Sequence, residues 1–159
     1  TDPDKDDFTI RTQEDALATL GNITSILTVF LTSIAFISLV VGGIGIMNIM
    51  LVSVVERTRE IGLRKALGAT NQDILQQFLW EAVMLTFFGG LAGIAFGSLL
   101  TVGLYYILVN FLPTGWIFAL PFSAIALAAG VSVVTGMVFG IYPARKASLK
   151  NPIDALRYE

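Results

Sequence analysis

Glu56-Arg-Thr-Arg-Glu-Ile-Gly-Leu-Arg-Lys-Ala-Leu-Gly-Ala-Thr70 carries four of the chain's ten Lys and Arg residues and lies between two stretches without a single charge. Ala16 to Val55 is uncharged over 40 residues, and Ala82 to Ala144 over 63. About 20 apolar residues in helix cross the hydrocarbon core of a bilayer, so each stretch is long enough to cross. The charged segment is then an ordered piece of protein held at the membrane surface, where an integral membrane protein would meet a soluble partner.

Composition agrees. Hydrophobic residues make up 55% of the chain, charged residues 14%, and the mean hydropathy is +0.76. A soluble domain is nearer a quarter charged. The net charge of -2 hides an asymmetry: residues 1 to 15 hold Asp2, Asp4, Asp6, Asp7, Glu14 and Asp15, whereas the basic residues gather at 56–65 and 145–157. There is no cysteine and no histidine, so disulfides and thiolate metal sites are excluded. The acidic start lacks the basic and apolar regions of a signal peptide. It opens without Met in polar sequence, which reads as a fragment of a longer protein.

The expected class is an all-α integral membrane fold with three crossings. The first run would form a helix about 60 Å long at 1.5 Å per residue, about twice the hydrocarbon thickness. Its mixed start, with Thr19, Asn22, Thr24 and Ser25, is expected as a stalk over 16–28, ahead of a crossing at 29–55. The second run breaks at Asn110-Phe-Leu-Pro113-Thr-Gly115-Trp116, a Pro/Gly turn whose Trp suits the interfacial aromatic belt. That places crossings at 82–109 and 122–142, joined by a turn at 110–121. Loops 56–81 and 143–159 hold eight Lys and Arg, against two before residue 16 and none at 110–121. The positive-inside rule puts the N-terminus outside and the C-terminus inside.

Small residues mark expected packing faces. Gly89, Gly93 and Gly97 repeat at four-residue spacing and continue to Thr101; Ala124, Ala128, Ser132, Gly136, Gly140 and Ala144 do the same in the last crossing. Such stripes let helix backbones approach in lipid, where no hydrophobic force drives helices together. They fit a contact between subunits or packing within one bundle. Gly42, Gly43 and Gly45 in the first crossing fit either a contact face or a hinge.

In the charged loop, Glu60 and Arg64 stand at i, i+4 in the favourable order. Gly68 suits a C-terminal cap. Thr70 with Asp73 resembles a capping box opening the next helix. The segment thus reads as a short amphipathic helix, a tight turn and a helix leading into the membrane. A basic helix resting on anionic headgroups is one reading of it; docking of a protein partner is the other.

Glu56-Arg-x-x-Glu-Ile-Gly-x-Arg-Lys-Ala-Leu-Gly-Ala69 resembles the signature that follows the second transmembrane helix of MacB/FtsX-like ABC permeases. Ile37-Ser-Leu-Val-Val-Gly-Gly-Ile-Gly-Ile-Met-Asn-Ile-Met-Leu-Val-Ser53 resembles the MacB branch, as do Gln77-Phe-Leu-Trp-Glu-Ala82 and Gly89-Gly90. Tyr142-Pro-Ala-Arg-Lys-Ala-Ser148 and Asn151-Pro-Ile-Asp-Ala-Leu-Arg-Tyr-Glu159 are similar to that family's ending. The resemblance implies helices two to four of a four-helix permease in a bacterial inner membrane, with residues 1–15 ending an extracytoplasmic domain and 7–12 its last strand. It implies a coupling helix that docks on an ATP-binding subunit, formed by Glu56, Arg57, Arg59, Glu60, Ile61, Gly62, Arg64, Lys65, Leu67 and Gly68. It further implies that ATP and Mg are bound by that subunit, that a second permease copy completes a homodimer or heterodimer, and that a periplasmic or envelope partner joins it. In the family, ATP-driven motion passes from coupling helix to stalk, a mechanism called mechanotransmission.

The tail has local logic of its own. Pro143 closes the last crossing, Arg145, Lys146 and Lys150 suit headgroups, and Asn151 can cap a short helix opened by Pro152. Ile153 and Leu156 would dock that helix on the loop or the ATPase; a surface helix serving only as an anchor is the other reading.

Other chemistry is missing from the sequence. No Gly-x-x-x-x-Gly-Lys-Ser/Thr occurs, so the chain has no P-loop. No ionisable residue lies within a crossing, which disfavours an ion path or an intramembrane protease; Glu81, at a crossing's edge, comes nearest. No charged or strongly polar ring suggests a passive channel, and nothing points to nucleic acid. The expected activity is that of a non-enzymatic permease part of an ATP-driven exporter. The rival within the family is a signalling subunit that activates an extracytoplasmic enzyme.

Overall fold

The structure, a computed structural model, describes residues 13–111 and 121–152. Four helices account for nearly all of them: α1 (Gln13–Glu56), α2 (Thr58–Ala66), α3 (Asn71–Phe111) and α4 (Phe122–Ser148). No strand occurs among the described residues. The all-α expectation holds, and α1, α3 and α4 are each long and apolar enough to cross a membrane. At 1.5 Å per residue, the 44 residues of α1 and 41 of α3 give about 66 and 62 Å, and the 27 of α4 about 40 Å. The first two therefore reach well beyond a hydrocarbon core of about 30 Å. The expected strand at 7–12, Trp116 with Pro113 and Gly115, and Ile153 with Leu156 lie outside the described residues.

The chain divides into two compact units, Thr1–Val40 and Val41–Glu159. The described part of the first is helical, and its side chains are exposed almost throughout. Its hydroxyls turn inward on the helix itself: Thr19, Thr24, Thr28, Ser33 and Ser38 each donate to the carbonyl four residues back at 2.8–2.9 Å. A hydroxyl bonded in this way is satisfied without water, which is how polar residues are tolerated beside lipid.

In the second unit α3 and α4 form an antiparallel pair with a constant register. Ala82 lies against Gly140, Thr86 against Gly136 and Gly90 against Ser132. A Cβ on Gly136 would stand 2.8 Å from the Val83 Cα and 3.1 Å from the Ala82 carbonyl oxygen. The α4 stripe is therefore a close-approach face toward α3. Its counterpart on α3 is Ala82, Thr86 and Gly90, one residue round from the glycines that stand out in the sequence. Among the described residues, a Cβ on Gly89, Gly93 or Gly97 would meet no atom beyond its own stretch of helix within 4 Å. Nearer α1's end, the Phe139 ring lies over Gly43, which makes Gly43 a contact residue, while Gly42 and Gly45 face open space.

The buried core sits at one end of this unit. Met50 and Val54 of α1, Ile61 of α2, Ile74, Phe78 and Ala82 of α3, and Ala144 and Ala147 of α4 form one cluster. Four helices thus converge where the charged segment lies. The α4 helix runs on through a buried Pro143 to Ser148, beyond the crossing's expected end.

Candidate functional site

The α2 segment is built into this convergence. It leaves α1 by a tight turn in which the Arg57 amide donates to the Ser53 carbonyl at 2.9 Å. Its inner face is Ile61, 1% exposed, and the buried Gly62. Its end is a Schellman arrangement: the Gly68 amide donates to the Lys65 carbonyl and the Ala69 amide to the Arg64 carbonyl, each at 3.0 Å. Gly68 has φ +104°, a conformation that L side chains avoid. Thr70 then opens α3 with a reciprocal box. Its hydroxyl and amide donate to Asp73 Oδ2 at 2.7 and 2.8 Å, and the Asp73 amide donates back to Thr70 Oγ1 at 3.2 Å. Asp73 stands nine residues before the uncharged stretch, outside the crossing. The Thr70 hydroxyl, and then its amide, hold the Asp73 carboxyl below its ordinary value of 3.8.

Polar ties fix α2 to its neighbours. Arg57 Nη1 donates to both Glu81 oxygens at 3.1 and 3.2 Å, across 24 residues. Both side chains are roughly two-fifths exposed, so an isolated pair of this kind is worth about 0.2–1 kcal/mol. Glu81, the ionisable group nearest a crossing, thereby has a partner on the loop. Arg64 donates to Glu60 and to Gln77 of α3, each at 2.5 Å. The Lys65 ammonium donates to the Ser148 and Lys150 carbonyls at the end of α4, at 2.5 and 2.8 Å.

The ten residues that the resemblance assigns to docking therefore sort by which way they face. Ile61 and Gly62 are buried, and Lys65 is turned inward. Arg57 and Arg64 are tied to α3 but partly exposed, and Gly68 shapes the turn. Glu56, Arg59, Glu60 and Leu67 face outward, with Leu67 81% exposed. Leu63, absent from that set, is also outward at 53%. An open concavity of about 470 Å³ is lined by Glu56, Arg57, Arg59, Glu60 and Leu63. It combines both signs of charge with the side chain of Leu63. No group of three or more metal-binding side chains occurs among the described residues.

The FtsX-like permease C-terminal family profile matches residues 19–152. The chain belongs to the FtsX-like permease family. It is 52% identical over 154 residues to the macrolide export ATP-binding/permease protein MacB of Syntrophobacter fumaroxidans, covering 97% of this chain and 21% of the relative. The MacB of Bdellovibrio bacteriovorus is 51% identical over 97% of this chain and 23% of its own length. YknZ of Bacillus subtilis, named an uncharacterized ABC transporter permease, is 47% identical over 98% of this chain and 38% of its own. The chain thus spans between about a fifth and two-fifths of the relatives it matches. With three membrane-length helices, this FtsX-like chain is a multi-pass membrane protein.

Gln77, Glu81, Ser148 and the α3 face Ala82–Thr86–Gly90 were not singled out as contacts from the sequence. A signal existed for the last: Ala82, Thr86, Gly90 and Ser98 are themselves small residues at multiples of four. Both α3 stripes are small, and composition does not say which one meets α4.

Proposed function

We propose that this chain is the C-terminal membrane part of a MacB-type ABC transporter permease, and that α2 is the coupling helix on which an ATP-binding partner docks. The observation that carries the reading is the division of α2 itself. Its inner face is locked into a core shared by all three long helices, while Glu56, Arg59, Glu60, Leu63 and Leu67 face outward, where a partner can reach them. A helix that is rigidly held on one side and presents mixed charge and leucine on the other suits the transfer of motion. The names of the relatives, which join ATP binding to a permease, support the same reading.

In this account the loop end of the bundle is cytoplasmic, in a bacterial inner membrane, because the basic residues gather there. ATP and Mg are held by the partner, whether fused or separate, and two permease copies face two ATPases. ATP-driven closure moves α2; α1, continuous from Glu56 back to Gln13, carries that motion outward to expel a substrate by mechanotransmission.

The test is Leu63→Asp in the full-length protein with its ATPase, reconstituted in liposomes. Leu63 is more than half exposed, so the variant is expected to fold and to lose ATPase coupling to the membrane part. Native ATP hydrolysis with native nucleotide-driven movement in that variant contradicts the docking assignment.

A further inference from the structure

The outward face of α2 serves the docking reading, but Lys65 does not belong to it. Its half-buried ammonium reaches backbone carbonyls 83 and 85 residues away, those of Ser148 and Lys150. Ser148 is 3% exposed and is the last residue of α4. The final carbonyls of a helix lack intrahelical donors and form the negative end of its dipole, so a cation there is held by both effects. The other ties from α2 run to α3, through Arg57 and Arg64, or to α1, where Thr58 Oγ1 donates to the Val54 carbonyl at 3.0 Å. Lys65 thus joins α2 to the end of α4 by two hydrogen bonds. The apolar residues that α4 contributes there, Ala144 and Ala147, are short.

Resting on the coupling-helix reading, we infer that Lys65 is a positioning residue: a latch that makes the end of α4 follow α2. A push on α2 then reaches the α3–α4 hairpin at both of its ends near the loop, rather than through α3 alone. Two carbonyls converging on one ammonium are the geometric requirement; the aliphatic stem of a methionine fills similar space without supplying a donor.

The test uses the full-length protein with its ATPase in liposomes and two spin-label pairs read by pulsed electron paramagnetic resonance. Ala66→Cys with Leu149→Cys reports on α2 against α4; Ala66→Cys with Gln76→Cys reports on α2 against α3. All three positions are exposed. With Lys65 in place, the α2–α4 distribution is narrow and stays where it is when ATP is added, because the two elements move together. Lys65→Met is expected to widen the α2–α4 distribution and to let it shift when ATP moves α2, leaving the α2–α3 pair narrow. An α2–α4 pair that stays narrow in Lys65→Met overturns the latch, as does disorder of both pairs alike. Should Lys65→Met not accumulate, Lys65→Gln, which keeps a donor on a shorter stem, is read by the same criteria. If ATP shifts neither pair in Lys65→Met, the docking reading fails, while the width of the α2–α4 distribution still decides whether Lys65 holds α4.

Discussion

Replacing Gly136 by alanine adds one methyl group where two backbones meet. The new Cβ would lie 2.8 Å from the Val83 Cα and 3.1 Å from the Ala82 carbonyl oxygen, with the Thr86 hydroxyl also in its way. Carbon atoms rest about 3.5–4.0 Å apart, so α3 and α4 must separate by several tenths of an ångström at the least. Overpacking of this kind costs about 1–3 kcal/mol, and the upper half applies because backbone atoms cannot rotate aside. Gly90→Ala is the informative comparison, since its Cβ would meet only the Ser132 side chain. Ser132→Gly should therefore rescue Gly90→Ala, whereas Thr86→Ala should recover only part of the loss in Gly136→Ala. The assay is reversible unfolding of the full-length protein in mixed micelles, read as a double-mutant cycle. Gly136→Ala within about 0.5 kcal/mol of native, the range of an unconstrained surface site, or its full rescue by Thr86→Ala, refutes the close-approach assignment.

Gly93→Ala should leave the isolated chain's packing unchanged, because among the described residues no atom beyond its own stretch of helix lies within 4 Å of its Cβ; any loss of assembly in Gly93→Leu, measured by oligomer size, is then expected to report on a neighbouring chain. Gly68→Ala, at φ +104°, should cost about 1–2 kcal/mol and raise hydrogen exchange at the α2–α3 turn. Glu81→Gln should cost under about 1 kcal/mol, and the charge swap Arg57→Glu with Glu81→Arg should restore most of it at low salt. The depressed Asp73 carboxyl stabilises the start of α3 above its ordinary value of 3.8, and that contribution is lost as pH falls through its folded value. Thr70→Ala should return the Asp73 titration toward 3.8, as read by NMR, and increase exchange in the first turn of α3.

Much of the fold was legible because charge and apolar runs are coarse signals. Forty and 63 uncharged residues around a basic segment leave little choice but three crossings. Local chemistry in the loop was equally readable: Gly68, Thr70 with Asp73, and Glu60 with Arg64 act within one helical turn of themselves. What the sequence did not disclose depends on rotation and distance. Gly89, Gly93 and Gly97 advertise a packing face more loudly than Ala82, Thr86 and Gly90, yet a rotation of about 100° about the helix axis, the angle of one residue at 3.6 per turn, puts the quieter stripe against α4. Lys65 looked like its basic neighbours because charge alone does not show which way a side chain turns. Its partners lie 83 and 85 residues away, and backbone carbonyls leave no mark in a sequence.

The central claim is that the outer face of α2 meets an ATP-binding partner. A photocrosslinking residue at Leu63, in the full-length protein in native membranes, tests it most directly. The account predicts capture of a polypeptide segment bearing a P-loop. Capture of lipid alone, with that segment present in the same membranes, would show α2 to be a surface anchor and contradict the account.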